Sequence, residues 1–360
     1  MRIAQIAPLT ESVPPKCYGG TERVVSWLTE ELVEQGHDVT LFASGDSQTR
    51  ANLVSVGDLS LRANEKCVNA MPYHLLLINE VIQKAGEFDI IHSHIDYLLY
   101  PFVRNRRTRS IHTLHGRLDL PDLQPLYEEF SEIPVVSISD SQRKPLPQAN
   151  YYATVYHGLP KDLYSFTSKP SDYLLFLGRI CPDKRPDRAI EIAEKTKQKL
   201  VIAAKVDPVD ERYFAEEIKP LLKSPYVDFI GEVTENDKNE LIGKAKAVLF
   251  PIDWPEPFGL VMIESLACGT PVIAFKHGSV GEIIEHGKTG FHCATVEDAV
   301  DAVNRIDQID RNQCRQSFEE RFTAHRMASD YAKLYERLLE QRTETHVVPF
   351  AARGERAAFK

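Results

Sequence analysis

Glu256-Pro-Phe-Gly-Leu-Val-Met-Ile-Glu-Ser-Leu-Ala-Cys-Gly-Thr-Pro271 is the stretch that decides the fold of this chain. Pro257 suits the entrance of a helix, and Gly269 is the expected stop before a strand that begins at Pro271. Between them, closely spaced apolar residues predict the buried face of that helix. Glu264 is therefore predicted to lie on the helix and Glu256 before it, so that two carboxylates bracket its first turns.

Two carboxylates in this arrangement suit a ligand that carries a hydroxylated group at either end of a diphosphate. The axial rise of a helix from Phe258 to Glu264 is about 9 Å, which lets one carboxylate reach ribose hydroxyls while the other meets a sugar. Free amides of Phe258, Gly259 and Leu260 would point at the diphosphate, because the amino end of a helix attracts anions. The alternative is a partly buried helix with two solvated glutamates.

Length and composition predict two α/β domains. The 360 residues, 43% of them hydrophobic, are enough to build two cores. Strand-like runs alternate with amphipathic stretches, beginning with Ile3 to Ala7, a helix from Thr21 to Gln35 closed by Gly36, and Asp38 to Ala43. The further predicted strands are Phe88 to His92, Ser110 to Leu114, Pro134 to Ile138, Ala153 to Tyr156, Tyr173 to Leu177, Leu200 to Ala204, Val227 to Ile230, Val248 to Pro251 and Val272 to Phe275.

Charge and cysteine usage exclude several classes of protein. A formal net charge of -9 argues against a dedicated nucleic-acid binder, because neutralisation of phosphates dominates that affinity. The six cysteines include no Cys-x-x-Cys pair, so neither a zinc site nor a disulfide framework is indicated. The apolar runs are strand-sized, and the chain enters a strand at Arg2 without the blocks of a secretory signal. We therefore expect a cytoplasmic protein.

The loops that follow predicted strands hold the candidate ligand-binding residues, since ligands of open α/β sheets bind beyond the carboxyl ends of strands. Gly19 and Gly20 open the first helix and would let backbone amides approach a phosphate, although a plain tight turn explains them too. Arg179 and Lys184 follow a later strand and suit an anionic diphosphate, with surface salt bridges as the alternative. His115 is placed at the same sheet edge.

Two other groups of residues suggest further functions. His92 and His94 have a spacing found in metal sites, but no additional ligand completes a set, so we expect no metal. A basic cluster beside Tyr97 to Val103 is typical of a solvated face, and it also suits peripheral contact with anionic lipid. Its members are Arg104, Arg106, Arg107 and Arg109.

The spacing of Glu256 and Glu264 resembles the Glu, seven residues, Glu signature of family 4 glycosyltransferases, which are retaining enzymes of the two-domain fold called GT-B. The run Gly19-Gly-Thr-Glu22 matches the family's Gly-Gly-x-Glu pattern, and the resemblance extends across nearly the whole chain. Ser137 to Ser141 and Tyr156 to Leu159 resemble further landmarks. In the second of these, many relatives have Asn in place of His157, and the usual acidic residue is displaced to Asp162, which leaves any acceptor contact there open.

The resemblance implies two Rossmann-like, doubly wound domains that face a central cleft, and a C-terminal helix that crosses back onto the first domain. The implied units are an acceptor domain at residues 1–166, a nucleotide-sugar donor domain at 167–323 and a crossing helix at 324–341. Residues 342–360 have no periodicity and are predicted to be a flexible tail.

The resemblance also implies a role for each site residue. His115, Arg179, Lys184 and Glu256 are the implied catalytic residues, with both cations on the pyrophosphate and Glu256 on the donor sugar. Glu264 binds the ribose and Val233 contacts the nucleobase. The full implied donor-binding set is Gly19, Gly20, Arg179, Lys184, Val233, Glu256, Phe258, Gly259, Leu260, Val261 and Glu264.

The predicted function is retaining transfer of a hexosyl group from a nucleotide diphosphate sugar to a hydroxyl acceptor, without a metal or other cofactor. UDP-glucose is the favoured donor, while GDP-mannose and ADP-glucose remain open. A glycan, a lipid-linked saccharide and a small molecule, including a pterin, are all candidate acceptors. The rival functions are a sugar-nucleotide-binding protein without transfer activity and a nicotinamide-dependent oxidoreductase, which the absence of Gly-x-Gly-x-x-Gly after the first strand disfavours.

Overall fold

The computed structural model describes residues 1–16, 19–104 and 109–340. Two parallel sheets of seven and six strands form its framework. The first sheet contains β1 (Arg2–Ile6), β2 (Asp38–Phe42), β3 (Asn52–Val54), β4 (Ile90–Ser93), β5 (Arg109–Thr113), β6 (Val135–Ser137) and β7 (Tyr151–Thr154). The second contains β8 (Tyr173–Arg179), β9 (Lys199–Lys205), β10 (Val227–Gly231), β11 (Ala247–Phe250), β12 (Val272–Phe275) and β13 (Gly290–Cys293).

Helices connect the strands of each sheet. Those of the first half are α1 (Gly20–Glu34), α2 (Met71–Gln83), α3 (Tyr100–Val103), α4 (Leu123–Glu129) and α5 (Asp140–Arg143). Those of the second half are α6 (Pro186–Thr196), α7 (Glu211–Tyr213), α8 (Glu235–Lys244), α9 (Leu260–Ala267), α10 (Val280–Ile283), α11 (Val296–Asn304), α12 (Arg311–Arg321) and α13 (Ala324–Glu340).

The order of the strands in each sheet indicates where a ligand is expected to bind. The first sheet runs β3-β2-β1-β4-β5-β6-β7 and the second runs β10-β9-β8-β11-β12-β13, so the winding direction reverses beside β1 and beside β8. A crevice opens at such a switch point, beyond the carboxyl ends of the strands. The loop after β1 carries Gly19, the end of β8 carries Arg179 and the loop after β11 carries Glu256 to these crevices.

The first helix forms as its sequence predicts. Val24, Leu28 and Leu32 recur every four residues and are at most 2% exposed, because they cover the first sheet. Gly36 ends the helical run in the left-handed region at φ 83°, which costs a glycine little.

Two strands, β3 and β13, are absent from the sequence prediction. The former has only three residues and lies at the edge of the first sheet, where its side chains stay largely exposed and give no apolar run. The latter begins at Gly290, where an added Cβ would lie 2.0 Å from the carbonyl oxygen of Val272. Close approach to β12 therefore selects a glycine in place of a strand-forming residue.

The last helix, α13, leaves the second half of the chain and packs against α1. Its Tyr331 and Tyr335 are buried at 1% and 0% exposure, and their hydroxyls bond Thr113 and Gln5 of the first sheet. The largest hydrophobic cluster consequently runs from Ile3 through the second sheet to α13. The residue boundaries of the implied domains stay a prediction, as does the tail, which lies outside the described residues.

Within the described part of the chain, no helix has both the length and the apolar character that crossing a bilayer requires. The five cysteines that the structure describes are free thiols.

Candidate active site

A cavity of about 500 Å³ lies between the carboxyl ends of the two sheets. All twelve residues of the predicted site line it, from both halves of the chain. They are Gly19, Gly20, His115, Arg179, Lys184, Val233, Glu256, Phe258, Gly259, Leu260, Val261 and Glu264. The structure thus brings the predicted residues together, while the role of each one stays a prediction.

Glu256 lies on the loop after β11, and the backbone at Gly278 and Ser279 packs against its main chain. Its carbonyl oxygen accepts a hydrogen bond of 3.0 Å from the backbone of Ser279, and a Cβ on Gly278 would lie 2.2 Å from that same oxygen. The carboxylate accepts a 2.9 Å bond from the indole of Trp254 and forms an ion pair with Lys184. With its side chain 11% exposed, Glu256 presents a fixed carboxylate to the cavity.

The helix entrance differs in detail from the prediction, because α9 begins at Leu260 and not at Pro257 or Phe258. Gly259 adopts φ 81°, a left-handed conformation that separates the incoming chain from the first helical turn. The hydroxyls of Ser139 and Ser279 each donate a 2.7 Å bond to the carbonyls of Pro257 and Phe258, respectively. These two bonds hold the carbonyl side of the turn. Its amide side is left directed towards the end of the helix that lines the cavity.

Glu264 lies one turn into α9 and is 4% exposed. Lys238 of α8 pairs with it at 2.8 Å and with Glu235 at 3.3 Å. Glu235 in turn pairs at 2.9 Å with Arg23, which belongs to α1 of the first half. This chain of charges links the two halves at the end of the cavity predicted to hold the ribose.

Arg179 is the last residue of β8 and lies in register with Lys205, the last residue of β9. Asp207 accepts from both cations, at 3.4 Å from Arg179 and 3.0 Å from Lys205. Sequence reasoning missed Lys205, although the rule that selected Arg179 applies equally to the end of the neighbouring strand. The two cations and Lys184 form a positive wall on the second half of the cavity.

The cavity is more cationic than the rest of the chain, which has a formal net charge of -9. Its cationic residues are Lys16, Arg23, Arg62, Arg117, Arg179, Lys184, Lys205 and Lys238. Its acidic residues are Glu11, Glu22, Glu232, Glu235, Glu256 and Glu264. An incoming diphosphate can therefore replace carboxylates as the partner of these cations, which favours anion binding without leaving a buried charge unpaired.

His115 faces the cavity from the end of β5. Its Nε2 lies 2.9 Å from Nδ1 of His94, and its ring stacks on that of His157 with centroids 5.3 Å apart. Burial lowers the pKa of His115 to about 3, so the ring is neutral near pH 7. His157, noted from the sequence only as a departure from the family pattern, also packs edge-on against Phe258 at 4.8 Å.

The structure describes a different use for the histidines whose spacing suggested a metal. His92 bonds the hydroxyls of Tyr335 and Thr113, both at 2.7 Å, and His94 bonds Gln5 at 2.8 Å. Across residues 1–16, 19–104 and 109–340, no group of three or more His, Cys, Asp or Glu side chains is arranged to hold a metal ion.

Arg104 of the predicted basic cluster is engaged inside the molecule, since it pairs with Glu129 at 2.8 Å and also with Glu132. Arg106 and Arg107 lie outside the described residues. Arg109 begins β5. The described part of this cluster thus carries less free positive charge than its sequence indicates.

Family models match this chain over most of its length. Residues 18–200 match the model described as Glycosyltransferase Family 4, and residues 165–325 match the model described as Glycosyl transferases group 1. The chain belongs to glycosyltransferase family 4. The resemblance carried by Glu256, Glu264 and the Gly-Gly turn is thereby confirmed.

Relatives of this family 4 glycosyltransferase match it almost end to end. N-acetyl-alpha-D-glucosaminyl L-malate synthase of Bacillus anthracis is 25% identical, with 89% of this chain and 95% of that protein covered. Sucrose-phosphate synthase from Thermosynechococcus elongatus has a TM-score of 0.76 at 18% identity, covering 94% of this chain and 99% of that one. HepE from Anabaena, in complex with UDP and glucose, has a TM-score of 0.72 at 16% identity, covering 94% and 100%. These structural matches confirm the GT-B fold.

Proposed function

We propose that this glycosyltransferase moves a hexosyl group, namely glucosyl from UDP-glucose, to a hydroxyl acceptor with retention of anomeric configuration. The observation that carries the proposal is the convergence of Arg179, Lys184, Glu256 and Glu264 on one cavity, although they come from separate loops and helices. Cations for a diphosphate and carboxylates for two sets of hydroxyls are what a nucleotide sugar requires.

In the proposed reaction, the bond between C1 of the sugar and the phosphate oxygen breaks while a bond from C1 to the acceptor oxygen forms on the same face. The departing diphosphate keeps the bonding electrons and takes up the proton of the acceptor hydroxyl. Arg179 and Lys184 stabilise the negative charge that grows on it, and Glu256 orients the sugar. Lys184 has to leave Glu256 for the diphosphate, so donor binding and assembly of the site are one event.

UDP-glucose is favoured as donor because HepE, which shares the fold, is known in complexes with UDP-glucose and with UDP and glucose. Among the sequence relatives are an N-acetyl-alpha-D-glucosaminyl L-malate synthase and an O-antigen chain mannosyltransferase, so the sugar varies between similar chains. GDP-mannose and ADP-glucose are therefore the alternatives for this enzyme. Val233 is the proposed base contact, since it lines the cavity just after β10.

Calorimetric titration with UDP-glucose, GDP-mannose, ADP-glucose and NAD tests the donor. We expect tightest binding of UDP-glucose and no binding of NAD. Binding of NAD alone would instead support the oxidoreductase. Tight binding of a nucleotide sugar without transfer or slow donor hydrolysis would identify a catalytically silent binding protein.

The reaction is tested by incubating the enzyme with the donor that binds and with glycan, lipid-linked saccharide and small-molecule acceptors, a pterin among them. Nuclear magnetic resonance of the product reads the anomeric configuration, and inversion would reject the proposed stereochemistry. Because the donor's diphosphate is bound by side chains in this scheme, transfer is expected to persist in EDTA. Abolition by EDTA and recovery with a divalent cation would reject metal independence.

A cytoplasmic location, with peripheral contact at the inner face of the membrane, completes the proposal. The contact surface is the predicted basic cluster together with the partly exposed Tyr97 and Phe102, at 39% and 41%. Sedimentation with anionic vesicles is expected to recover the wild type but not a variant in which Arg104, Arg106, Arg107 and Arg109 are all replaced by Gln. Equal sedimentation of both proteins, or none of either, would discard membrane contact.

A further inference from the structure

A chain of buried polar side chains runs from the crossing helix α13 to His115 at the cavity. The Nε2 atom of Gln5 on β1 donates to the Tyr335 hydroxyl at 3.1 Å, and its Oε1 lies 2.8 Å from Nε2 of His94. Nδ1 of His94 then lies 2.9 Å from Nε2 of His115. Gln5, His94 and Tyr335 are at most 2% exposed, so their polar atoms must find partners within this chain.

The chemical identity of each atom decides where the protons are. The Oε1 atom of Gln5 can only accept, so His94 carries its hydrogen on Nε2. A neutral His94 then has its lone pair on Nδ1, and His115 must donate to it from Nε2. The lone pair of a neutral His115 is therefore on Nδ1, the nitrogen that His94 does not engage.

The amide orientation of Gln5 is the element that sets this order, because a reversed amide would reverse every donor along the path. His94 would then donate to His115, and Nδ1 of His115 would carry a hydrogen. In the observed orientation, one amide hydrogen bonds the Tyr335 hydroxyl at 3.1 Å. The other points at Nδ1 of His92 at 3.4 Å, where it shares the lone pair with the Tyr335 hydroxyl, which lies 2.7 Å from the same nitrogen. The reversed amide would offer two hydrogens towards the single Nε2 of His94, leaving one buried donor unpaired.

The surroundings of His94 and His115 favour the neutral form of both rings. Burial among other imidazoles lowers the pKa of His94 well below its usual range, and burial alone lowers that of His115 to about 3. Neither ring is therefore an imidazolium near pH 7, and the choice between their two neutral tautomers falls to hydrogen bonding.

We propose that Gln5 and His94 are positioning residues that hold His115 as the Nε2–H tautomer, so that its Nδ1 offers a lone pair to a hydroxyl in the cavity. Tyr335 of α13 holds the Gln5 amide in the orientation that this requires. The catalytic part of this inference rests on the proposed sugar transfer, whereas the tautomer itself does not. The crossing helix thereby contributes to the electronic state of a cavity residue.

The direct test is nitrogen NMR of the protein labelled with ¹⁵N-histidine, with His115→Gln used to assign its signals. We expect wild-type His115 to show a protonated Nε2 and an unprotonated Nδ1 near neutral pH. Gln5→Leu is expected to convert this state into a mixture of tautomers. A wild-type ring protonated on Nδ1 or on both nitrogens, or a tautomer unchanged by Gln5→Leu, would overturn the proposal. The wild-type spectrum decides even if the variant does not fold.

The matched pair on α13 separates a specific effect from loss of packing. Tyr335→Phe removes the hydroxyl that bonds Gln5, while Tyr331→Phe removes one that bonds Thr113 at 2.8 Å. We expect a tautomer mixture in the first variant and the wild-type tautomer in the second. The reverse pattern would contradict the role given to Tyr335.

Kinetics with the donor that binds provides the second readout. Gln5→Leu is expected to lower kcat by about tenfold with little change in KM, since general acid–base and hydrogen-bonding contributions of this kind act on the reacting state. Tyr331→Phe is expected to stay within about twofold of the wild type. If the wild type shows the Nε2–H tautomer but transfers no sugar, the proposed function fails and the positioning of His115 stands.

Discussion

At the scale of single residues, Arg179 tests the diphosphate contact. Replacement by Ala is expected to raise the Kd of the donor by about 10- to 100-fold, because a charge-assisted hydrogen bond contributes about 1.5–3 kcal/mol. Calorimetric titration measures this change.

Arg188 supplies the matched control for that experiment. It lies on α6, pairs with Asp253 at 3.0 Å and is not among the residues that line the cavity. Arg188→Ala should therefore leave the donor Kd near the wild-type value. Equal losses in the two variants would show that Arg179 acts through general electrostatics or folding.

The buried histidines predict how stability depends on pH. Burial lowers the pKa of His112 and His115 to about 3, and it lowers those of His92, His94 and His157 well below their usual range. The unfolded chain takes up protons below about pH 6.5 while these folded rings do not. Their stabilising contribution is thus complete above that pH and is lost as the pH falls from about 6.5 towards 3.

Urea unfolding at about pH 7 and pH 5.5 should show a loss of about 1 kcal/mol for each such histidine. His112→Phe is expected to reduce the loss by that amount. Ile111→Val provides the control, since Ile111 is buried on the same strand and does not titrate, and it should leave the loss unchanged. An unaltered pH dependence in His112→Phe would contradict this account.

The sequence predicts a side chain's position where that position follows from a strand end or from helix spacing, and the role of each site residue stays a prediction. Arg179, Glu256 and Glu264 meet in the cavity as their spacing predicts. His157 was not predicted, because its stacking on His115 joins two loops that are 42 residues apart and no local pattern encodes that contact. The tautomer that we propose for His115 could not be predicted from local sequence either, since it depends on Tyr335 of the last helix.

At the scale of secondary-structure elements, Gly259 tests the geometry of the α9 entrance. It adopts φ 81°, and an added Cβ would lie 2.8 Å from Met262 and 3.1 Å from Phe250. Gly259→Ala is expected to cost about 1–3 kcal/mol of stability and to weaken donor binding, because the turn must deform. Urea unfolding and calorimetry measure the two effects.

Gly20 provides the comparison, since it also lines the cavity at the start of a helix. Its Cβ would meet only Leu260, at 3.7 Å, which is an ordinary contact. Gly20→Ala should therefore fold with nearly wild-type stability. A Gly259→Ala variant as stable and as active as Gly20→Ala would show that the left-handed turn is not required.

Gly259 also explains why the predicted start of α9 was wrong. Its sequence context, Pro257-Phe-Gly-Leu, predicts a helix from about Pro257, whereas the observed helix starts at Leu260. The φ of Gly259 is selected by contacts with β11 and with the Ser279 loop, which lie outside the local sequence. The long, periodic α1 needed no such information, and its predicted range, Thr21 to Gln35, differs by one residue at each end from the observed Gly20–Glu34.

At the scale of the whole molecule, Glu282 of α10 connects the two halves of the chain. Its carboxylate accepts from the backbone of Asp140 at 2.8 Å, from that of Ser141 at 2.7 Å and from the hydroxyl of Tyr156 at 3.1 Å. All three donors belong to the first half of the chain. One carboxylate with three partners thus joins the two halves of the chain.

Glu282→Ala is expected to weaken the association of the two halves by about 1.5–3 kcal/mol. This corresponds to an increase of tenfold or more in the population of molecules whose halves have moved apart. Small-angle X-ray scattering should show a larger radius of gyration in the absence of donor. Glu285→Ala is the control, because Glu285 pairs with Lys288 at 3.0 Å within the second half. Identical scattering of the two variants would contradict the role given to Glu282 in holding the two halves together.

The central claim is that the cavity between the sheets holds a nucleotide sugar by its diphosphate. A crystal structure of the enzyme with UDP-glucose tests it most directly. We predict the diphosphate in contact with Arg179 and Lys184, Lys184 separated from Glu256, and the ribose hydroxyls on Glu264. A nucleotide bound outside this cavity, or bound within it with its diphosphate remote from both cations, would contradict the account.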